Sequence, residues 1–259
     1  MERSFLLVLE FDGTDFCGWQ RQPEGRSVQG VVEQALGRLA GEKRRATGAG
    51  RTDAGVHALA LPVSASMPSR WSPAALHRAL NAVLPADVAV REVREVQPGL
   101  DARRAATARR YRYDIGTDEE SRSPFRSRTE WGVGRPLDGD AMQRAARLLH
   151  GEHDFRAFAV VGEPKPHYRC RVLEAGWTPL APMRYRFTVA ADRFLHHMVR
   201  MLVGTMVDIG LGRRPESDMA RLLTLPHNAE TSAPAPAAGL SFVEASYPDT
   251  IYLPERSSW

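Results

Sequence analysis

Along the first hundred residues, stretches with the hydrophobic pattern of strands alternate with stretches that have the pattern of helices. Short apolar runs bounded by charge predict strands, and apolar residues spaced three and four apart predict helices. Ser27 is a helix N-cap with Gly41 just past the helix end, and Ser72 followed by Pro73 opens a second helix. Pro62 would confine its strand to a sheet edge or a bulge. The predicted order is a strand at Ser4–Glu10, a helix after Ser27, a short strand at Arg44–Thr47, a strand at Leu59–Ala65, a helix at Ala74–Leu84 and a strand at Asp87–Val96.

The rest of the chain predicts a similar set of elements. Asp138 can cap one helix and Gly151 follows its end, while the Ala- and Pro-rich Ser232–Gly239 is typical of a loop. The predicted elements are strands at Arg109–Ile115, Arg171–Trp177, Arg184–Ala190 and Leu240–Ser246, and helices at Asp138–His150, Asp192–Ile209 and Pro215–Leu225.

The order strand, helix, strand, strand, helix, strand is that of a ferredoxin-like unit. We therefore predict an α+β fold of two duplicated ferredoxin-like (RRM-like) halves, with a mostly antiparallel sheet and a cleft between the halves. The break lies near Gly99–Ala108, which gives an N-terminal half at 1–104 and a C-terminal half at 105–259.

Composition narrows the class of protein. Of 35 basic residues only Lys43 and Lys165 are lysines, so the chain is rich in arginine, the side chain best suited to phosphate. An RNA- or DNA-facing surface and a GC-rich coding sequence are both consistent with this bias. The two cysteines, Cys17 and Cys170, have no disulfide or metal spacing, and we expect no secretory or membrane-spanning segment. These features predict a cytoplasmic protein.

The stretch Gly48–Ala58, GAGRTDAGVHA, places potentially reactive side chains among glycines and alanines. A phosphate loop of the Walker type requires a lysine that is missing here, and a dinucleotide fingerprint requires glycine where the chain has Asp53. Two interpretations remain open. Asp53 is a structural turn residue, or it is a nucleophile or base whose small neighbours leave room for a planar partner. An ionised Asp53 in such a hollow would need a cation nearby.

A second stretch, Arg103–Ile115, combines arginines with tyrosines. In a strand, Tyr111 and Tyr113 share one face while Arg110 and Arg112 line the other. Arginines bind phosphates and aromatic rings stack on bases, so this pattern favours a single-stranded RNA platform. A solvated arginine face over buried tyrosines is the alternative.

A third stretch, Phe194–Gly204, predicts an apolar helical stripe with His196 and Arg200 on another face. An arginine in so apolar a helix should be partly buried and should have a partner, for which Asp53 is a candidate. The alternative is a surface arginine on an amphipathic helix.

Metal chemistry has weak support in the sequence. His150, His153 and Asp154 could be ligands, but a third convergent histidine is missing. We therefore predict no metal site. No nucleophile-elbow motif occurs either, and the two cysteines lack an activating context.

Taken together, these stretches resemble the TruA family of tRNA pseudouridine synthases over nearly the whole chain. The matching segments are FDGTDFCGWQRQ, SVQGVVEQAL, GAGRTDAGVHA, LNAVLP, ARRYRY, GEHDFRAF, FLHHMVRMLVGTMVDIG and GLSFVEASY. The resemblance implies the pseudouridine synthase fold with a catalytic cleft between its halves. It also implies a homodimer that isomerises uridines 38, 39 and 40 in the anticodon arm of tRNA, without a metal or small-molecule cofactor.

The same resemblance implies a role for several residues. Asp53 matches the essential aspartate, which attacks C1′ or removes a ribose proton, and Arg200 matches the arginine that pairs with it. Tyr111 matches the tyrosine that packs on the target base. Arg51 matches the arginine that replaces the flipped-out nucleotide in the stack. Three further candidates for RNA binding lie beside Tyr111 in the sequence: Arg109, Arg110 and Arg112.

The chain departs from the family pattern at Leu59–Pro62, where Gly-Gln and a β-branched run are usual, and at Leu100 and Asp101, where Phe and His are usual. These positions lie outside the catalytic residues, so they bear on RNA contact and local strand geometry. A non-catalytic RNA-binding module of paired ferredoxin-like units is the alternative function. It would be expected to carry an aromatic RNP1-type strand motif, which the sequence lacks.

Overall fold

The computed structural model describes residues 1–160 and 167–253. Within these ranges the strands are β1 (Glu2–Phe11), β2 (Ala46–Gly48), β3 (His57–Pro68), β4 (Val88–Val96), β5 (Ala108–Gly116), β6 (Trp131–Gly132), β7 (Gly151–Asp154), β8 (Arg169–Ala181), β9 (Arg184–Ala191) and β10 (Leu240–Ser246). The helices are α1 (Val28–Ala40), α2 (Pro73–Val83), α3 (Ala102–Ala105), α4 (Gly139–Arg147), α5 (Met198–Gly210) and α6 (Ser217–Leu222).

The chain forms two compact units. Unit 1 contains residues 1–107 together with the end of the chain from residue 242, and unit 2 contains residues 108–241. The pairs β1–β3, β1–β4, β2–β3, β5–β9, β7–β8 and β8–β9 are antiparallel, and β5 pairs with β6 in parallel. The predicted α+β class with a mostly antiparallel sheet is confirmed. The duplication, the cleft and the boundary between residues 104 and 105 stay predictions.

Unit 1 has the predicted order of elements, β1-α1-β2-β3-α2-β4. Its sheet runs β4-β1-β3, and β2 pairs with β3. The helix caps are local and match the sequence: the Ser27 side chain accepts from the Gly30 amide, and Gly41 ends α1 with φ +83°. Ser72 caps α2 in the same way, so both helices begin where the sequence predicts.

We predicted that Pro62 would confine its strand to a sheet edge or a bulge. The prediction of an edge strand is wrong. Strand β3 pairs with β1 on one side and with β2 on the other. Pro62 lies opposite Val8 and directly after the last β2 pair, Gly48 with Val63, and its carbonyl accepts from the Ala49 amide. A proline is tolerated in this interior strand because it stands where the pairing with β2 ends.

Unit 2 contains the strand order β5-β9-β8-β7. The helix predicted from Asp192 begins six residues later, at Met198. Asp192 instead continues the sheet: its amide donates to the Arg171 carbonyl, and its side chain accepts from the Arg171 amide. His197 has φ +62° and turns the chain just before α5. The prediction that His196 and Arg200 share a helix is therefore wrong.

Buried contacts fix α5 and the segment after α6. Tyr113 is fully buried, and its hydroxyl donates to the Pro236 carbonyl at 2.6 Å. Gly204 in α5 lies so close to this segment that a Cβ would stand 2.2 Å from the Ala233 carbonyl oxygen. The interior of unit 2 thus determines the path of the proline-rich loop that the sequence predicts at Ser232–Gly239.

No helix in the described parts of the chain is long and apolar enough to cross a membrane.

Candidate active site

The Gly48–Ala58 loop joins β2 to β3 and packs against an earlier segment of unit 1, residues 12–19. The Trp19 amide donates to the Thr52 carbonyl at 3.0 Å, and the Gly55 amide donates to the Phe16 carbonyl at 3.2 Å. Gly48 lies against the Trp19 ring, where a Cβ would approach to 2.8 Å. The loop is therefore held in place by backbone bonds to a segment more than thirty residues away.

Two glycines of the earlier segment permit this close packing. A Cβ on Gly13 would stand 2.0 Å from the Val56 carbonyl oxygen, and one on Gly18 would stand 2.7 Å from the Thr52 carbonyl oxygen. Gly18 also has φ +97°, which L-residues rarely adopt. Both contacts are with loop backbone on either side of Asp53, so the glycines set the position of that residue.

His57 makes a second attachment between the same segments. Its side chain is buried, and Nδ1 accepts a hydrogen bond from the Gly13 amide at 3.0 Å. The Asp12 carboxylate lies 3.2 Å from the same nitrogen. Because Nδ1 accepts the Gly13 proton, it has none to donate to Asp12, and we assign the hydrogen bond to Gly13. His57, one of the loop's potentially reactive residues, is a structural anchor.

Asp53 is half-buried and Arg51 is exposed on this loop. Val56 closes the turn after the carboxylate, since its amide donates to the Asp53 carbonyl at 3.2 Å. Partial burial lowers the pKa of Arg51, and the nearby positive charge of Arg103 lowers it further. The loop therefore carries a half-buried aspartate, with two arginine side chains of like charge on the same unit.

Arg103 has a fixed backbone position in α3. The Asp101 side chain accepts from the amides of Arg103 and Arg104 and caps this short helix, and Ala102 is fully buried. The departure from the family pattern at Asp101 is thus a helix cap, which explains why an aspartate is suited to this position.

Tyr111 lies on β5 in unit 2 and is buried. Its ring packs edge-to-face on Phe194, with ring centroids 5.0 Å apart. Tyr113, two residues on, is buried on the same strand face, as the alternation predicts. Burial raises the pKa of Tyr113, and the positive charge of Arg200 opposes that shift.

Arg200 projects from the first turn of α5 and is half-buried. Its Nε donates to the Ala235 carbonyl at 2.7 Å, and the Ala235 amide donates back to the Arg200 carbonyl. The partial burial predicted for Arg200 is confirmed. Its pairing with Asp53, which belongs to the other unit, stays a prediction.

The three arginines beside Tyr111 have different environments. Arg110 forms an ion pair with Glu174, and Arg112 lies 3.8 Å from Asp114. Burial lowers the pKa of Arg112, and Asp114 opposes that shift. Arg109 donates from Nη1 to the Asp192 carbonyl at 2.8 Å. The two arginines on the face opposite the tyrosines are therefore placed beside carboxylates.

The candidate metal ligands have separate structural roles. His153 lies in β7 with its Nε2 3.0 Å from the His150 carbonyl oxygen, and Asp154 accepts from the Arg156 amide. These contacts give the His153 and Asp154 side chains structural roles.

A sequence model described as tRNA pseudouridine synthase matches residues 7–103 and 145–248, which is most of the chain. The chain belongs to the tRNA pseudouridine synthase family. It is 42% identical over 245 residues to tRNA pseudouridine synthase A of Moorella thermoacetica, a match that covers 93% of this chain and 98% of that protein. It is 42% identical over 256 residues to tRNA pseudouridine synthase A of Thermus thermophilus, covering 97% of this chain and 100% of that protein.

Membership of the tRNA pseudouridine synthase family makes the protein an isomerase that acts on uridine in tRNA. The reaction breaks the N1–C1′ bond of uridine and joins C5 to C1′, so no atom is gained or lost. An enzyme that does chemistry on a base in a stem must first extrude the nucleotide, at a cost of about a few kcal/mol.

The sequence did not reveal the residues that hold the Gly48–Ala58 loop in place. Gly13, Gly18 and Trp19 contact the loop directly, yet they lie in a separate motif with no periodic signal. The Phe194 contact with Tyr111 was missed for a related reason, because the helix was predicted to include Phe194. The two motifs FDGTDFCGW and GAGRTDAGVHA could have been linked by their glycines and by the aromatic residues of the first, which suit close packing of backbone against rings.

Proposed function

We propose that this protein isomerises uridines 38, 39 and 40 in the anticodon stem-loop of tRNA, acting as a cytoplasmic homodimer. Asp53 is the nucleophile or base, Arg200 pairs with it, Tyr111 stacks on the target base, and Arg51 fills the place of the flipped-out nucleotide. The observation that carries the proposal is the anchored Asp53 loop of unit 1. Backbone bonds and glycine contacts fix the loop around the half-buried Asp53.

The environment of Asp53 supports a reacting group over a structural turn. A turn aspartate usually accepts from amides one to three residues on. In this loop the turn after Asp53 is closed by its backbone carbonyl, which accepts from the Val56 amide. The carboxylate is therefore not required to close that turn, and its neighbours Ala54 and Gly55 have no bulk to shield it.

Two arginine positions support RNA as the substrate of this loop. Arg51 and Arg103 are close enough that the charge of Arg103 lowers the pKa of Arg51. Like charges placed together favour an anion between or beside them, and a nucleotide flipped from a stem is flanked by phosphates. An arginine at position 51 can approach the gap in the stack with its planar guanidinium.

The experiment uses transcribed tRNAs labelled with tritium at C5 of uridine, each with one uridine at position 38, 39 or 40. Formation of pseudouridine releases the label to water, so each position is measured separately. We expect release from all three tRNAs and none from a tRNA that has cytidine at the three positions. Release from the cytidine-substituted tRNA, or from none, would overturn the assignment to these positions.

The assembly and the role of the thiols are tested separately. Light scattering after size exclusion should give twice the mass of the 28.7 kDa chain, and a value equal to one chain would contradict the homodimer. Cys17 and Cys170 are free thiols, so reductant should leave activity unchanged.

A further inference from the structure

A basic pocket on unit 2 lies outside the residues assigned to the reaction. It is lined by the exposed ends of β7 and β8 and by the chain just after β9. We call it the Arg193 pocket, and the lining residues used below are Glu152, His167, Arg169, Arg171, Asp192 and Arg193.

One carboxylate serves two arginines in the Arg193 pocket. Arg169 and Arg171 are two residues apart on β8 and therefore point to the same face. Glu152, opposite Arg171 in β7, lies 3.8 Å from Arg169 and 3.6 Å from Arg171. Both distances exceed that of a hydrogen bond, so Glu152 only partly offsets the two charges.

The second carboxylate of the pocket is committed to the backbone. Asp192 accepts from the Arg171 amide at 2.9 Å, which holds the end of β9 against β8. Arg109 adds another positive group at the same place, since its Nη1 donates to the Asp192 carbonyl at 2.8 Å. The predicted RNA-binding candidate Arg109 thus reaches the edge of this pocket.

Arg193 increases the excess of positive charge. Its Nη1 lies 3.4 Å from Nε2 of His167, and within residues 1–160 and 167–253 it has no carboxylate partner. His167 offers this arginine a ring nitrogen and no carboxylate. Three guanidinium groups therefore line a pocket with two carboxylates, and Arg109 lies at its edge.

Two other arginines of unit 2 each form a bidentate pair with a carboxylate. Arg186 donates two hydrogen bonds to Asp114 at 2.6 and 2.8 Å, and Arg144 donates two to Glu216 at 2.7 and 2.6 Å. Such a bidentate pair uses one edge of the guanidinium fork for the carboxylate. The Arg193 pocket differs because the side chains of Arg169 and Arg171 are 70% and 64% exposed and lie beyond hydrogen-bond distance of Glu152.

We propose that the Arg193 pocket binds a backbone phosphodiester of the tRNA substrate. A phosphate presents two unesterified oxygens at the spacing of a guanidinium fork, and a cluster of like charges is stabilised when such an anion enters. The contact carries no sequence information, so it supplies affinity and register for any tRNA. This inference rests on tRNA as substrate and is independent of which uridine is modified.

The first test measures tRNA affinity as a function of salt for the wild type and for Arg171→Ala/Arg193→Ala. We expect the double variant to bind about tenfold more weakly, with the slope of log K against log salt reduced by about 1, the change for the loss of one phosphate contact. The kcat on saturating tRNA should stay within about twofold, because neither arginine is among the residues assigned to the reaction. The matched control Arg144→Ala removes a paired arginine of the same unit and should leave both affinity and slope unchanged.

A second variant keeps the proposal falsifiable if the double variant does not fold. Glu152→Gln removes the carboxylate that offsets two arginines, and we expect it to bind tRNA about threefold more tightly at low salt. Glu216→Gln, the control, should bind like the wild type. An unchanged affinity of the double variant or, if that variant does not fold, of Glu152→Gln would overturn the proposal.

Free phosphate compounds could use the same chemistry. Inorganic phosphate and uridine monophosphate are therefore titrated against the wild type and the double variant, with the unfolding midpoint as readout. If they stabilise only the wild type while the tRNA affinity of the two proteins is equal, the pocket is a small-anion site and the tRNA proposal is wrong.

Discussion

The Gly13 amide donates a hydrogen bond to Nδ1 of the buried His57, 3.0 Å away and 44 residues further along the chain. This bond fixes the end of the Asp53 loop to the segment that follows β1. The Nε2 atom of His57 is buried and, among the described residues, has no hydrogen-bond partner. The anchoring function of the ring therefore rests on one nitrogen.

Replacing His57 separates this anchor from general packing. His57→Leu leaves the buried Gly13 amide unsatisfied, which should cost about 1–3 kcal/mol of unfolding free energy and lower kcat because the Asp53 loop shifts. His57→Asn places an oxygen near the position of Nδ1 and should recover most of kcat. Urea unfolding and single-turnover kinetics measure the two effects. Equal kcat for the two variants would contradict the anchoring role.

Gly18 tests whether the loop position itself matters. Gly18→Ala combines a strained φ of +97° with a Cβ 2.7 Å from the Thr52 carbonyl oxygen. Gly99→Ala is the matched control, because Gly99 has φ +76° but a Cβ there would meet no atom of the described residues within 4 Å.

Both substitutions should lower the unfolding free energy by about 1 kcal/mol or more through backbone strain. Only Gly18→Ala should also reduce kcat, by more than about tenfold, because only there must the loop beside Asp53 move. The measurement is pseudouridine formation at a temperature where both variants are fully folded by circular dichroism. A similar loss of kcat in Gly99→Ala would show that strain alone is responsible.

Arg200 tests the proposed partner of Asp53. Arg200→Leu removes the charge and should reduce kcat at least about 100-fold with tRNA affinity nearly unchanged. Arg200→Lys also loses the Nε bond to the Ala235 carbonyl, but it retains a cation. An intermediate kcat for lysine supports the charge as the active feature. Identical losses in the two variants would instead indicate that the bond to Ala235 carries the effect.

The buried phenol of Tyr113 should make the unfolding free energy depend on pH. Burial raises its pKa in the folded protein, so the unfolded chain loses the phenol proton first as pH rises. Stability is complete below the ordinary tyrosine pKa of about 10 and falls above it by up to about 1.4 kcal/mol per pH unit.

Tyr113→Phe removes this dependence while it also loses the hydrogen bond to the Pro236 carbonyl, which costs about 1 kcal/mol at neutral pH. The difference in unfolding free energy between wild type and variant should therefore shrink and then reverse as pH rises from 8 to above about 11. A difference that stays constant with pH would contradict the burial of the phenol.

Local signals made much of unit 1 predictable. Ser27 and Ser72 both cap helices through bonds to residues three positions on, and such bonds are encoded by neighbours in the sequence. The start of α5 was not predictable in this way. Aspartate is a common helix-capping residue, but the Asp192 side chain accepts a hydrogen bond from the Arg171 amide of β8. Only the folded sheet supplies this partner.

In the candidate site, too, only the features encoded within a short stretch of sequence could be predicted. Asp53 could be singled out because its small neighbours and the failure of the phosphate-loop patterns are visible in one short stretch. The contacts of Gly13 and Gly18 with that stretch depend on backbone positions brought together by folding. The excess charge of the Arg193 pocket likewise comes from the register of β7 with β8, which pairs Glu152 with Arg171.

The central claim is that Asp53 performs the isomerisation of uridine in tRNA. The most direct measurement is pseudouridine formation in full-length tRNA by wild type and Asp53→Asn, with tRNA affinity measured in parallel. Asparagine keeps the size of the side chain and removes the charge that attacks C1′ or takes a ribose proton. We predict that Asp53→Asn forms no pseudouridine while it binds tRNA as the wild type does. Pseudouridine formation by Asp53→Asn at the wild-type rate would contradict the account.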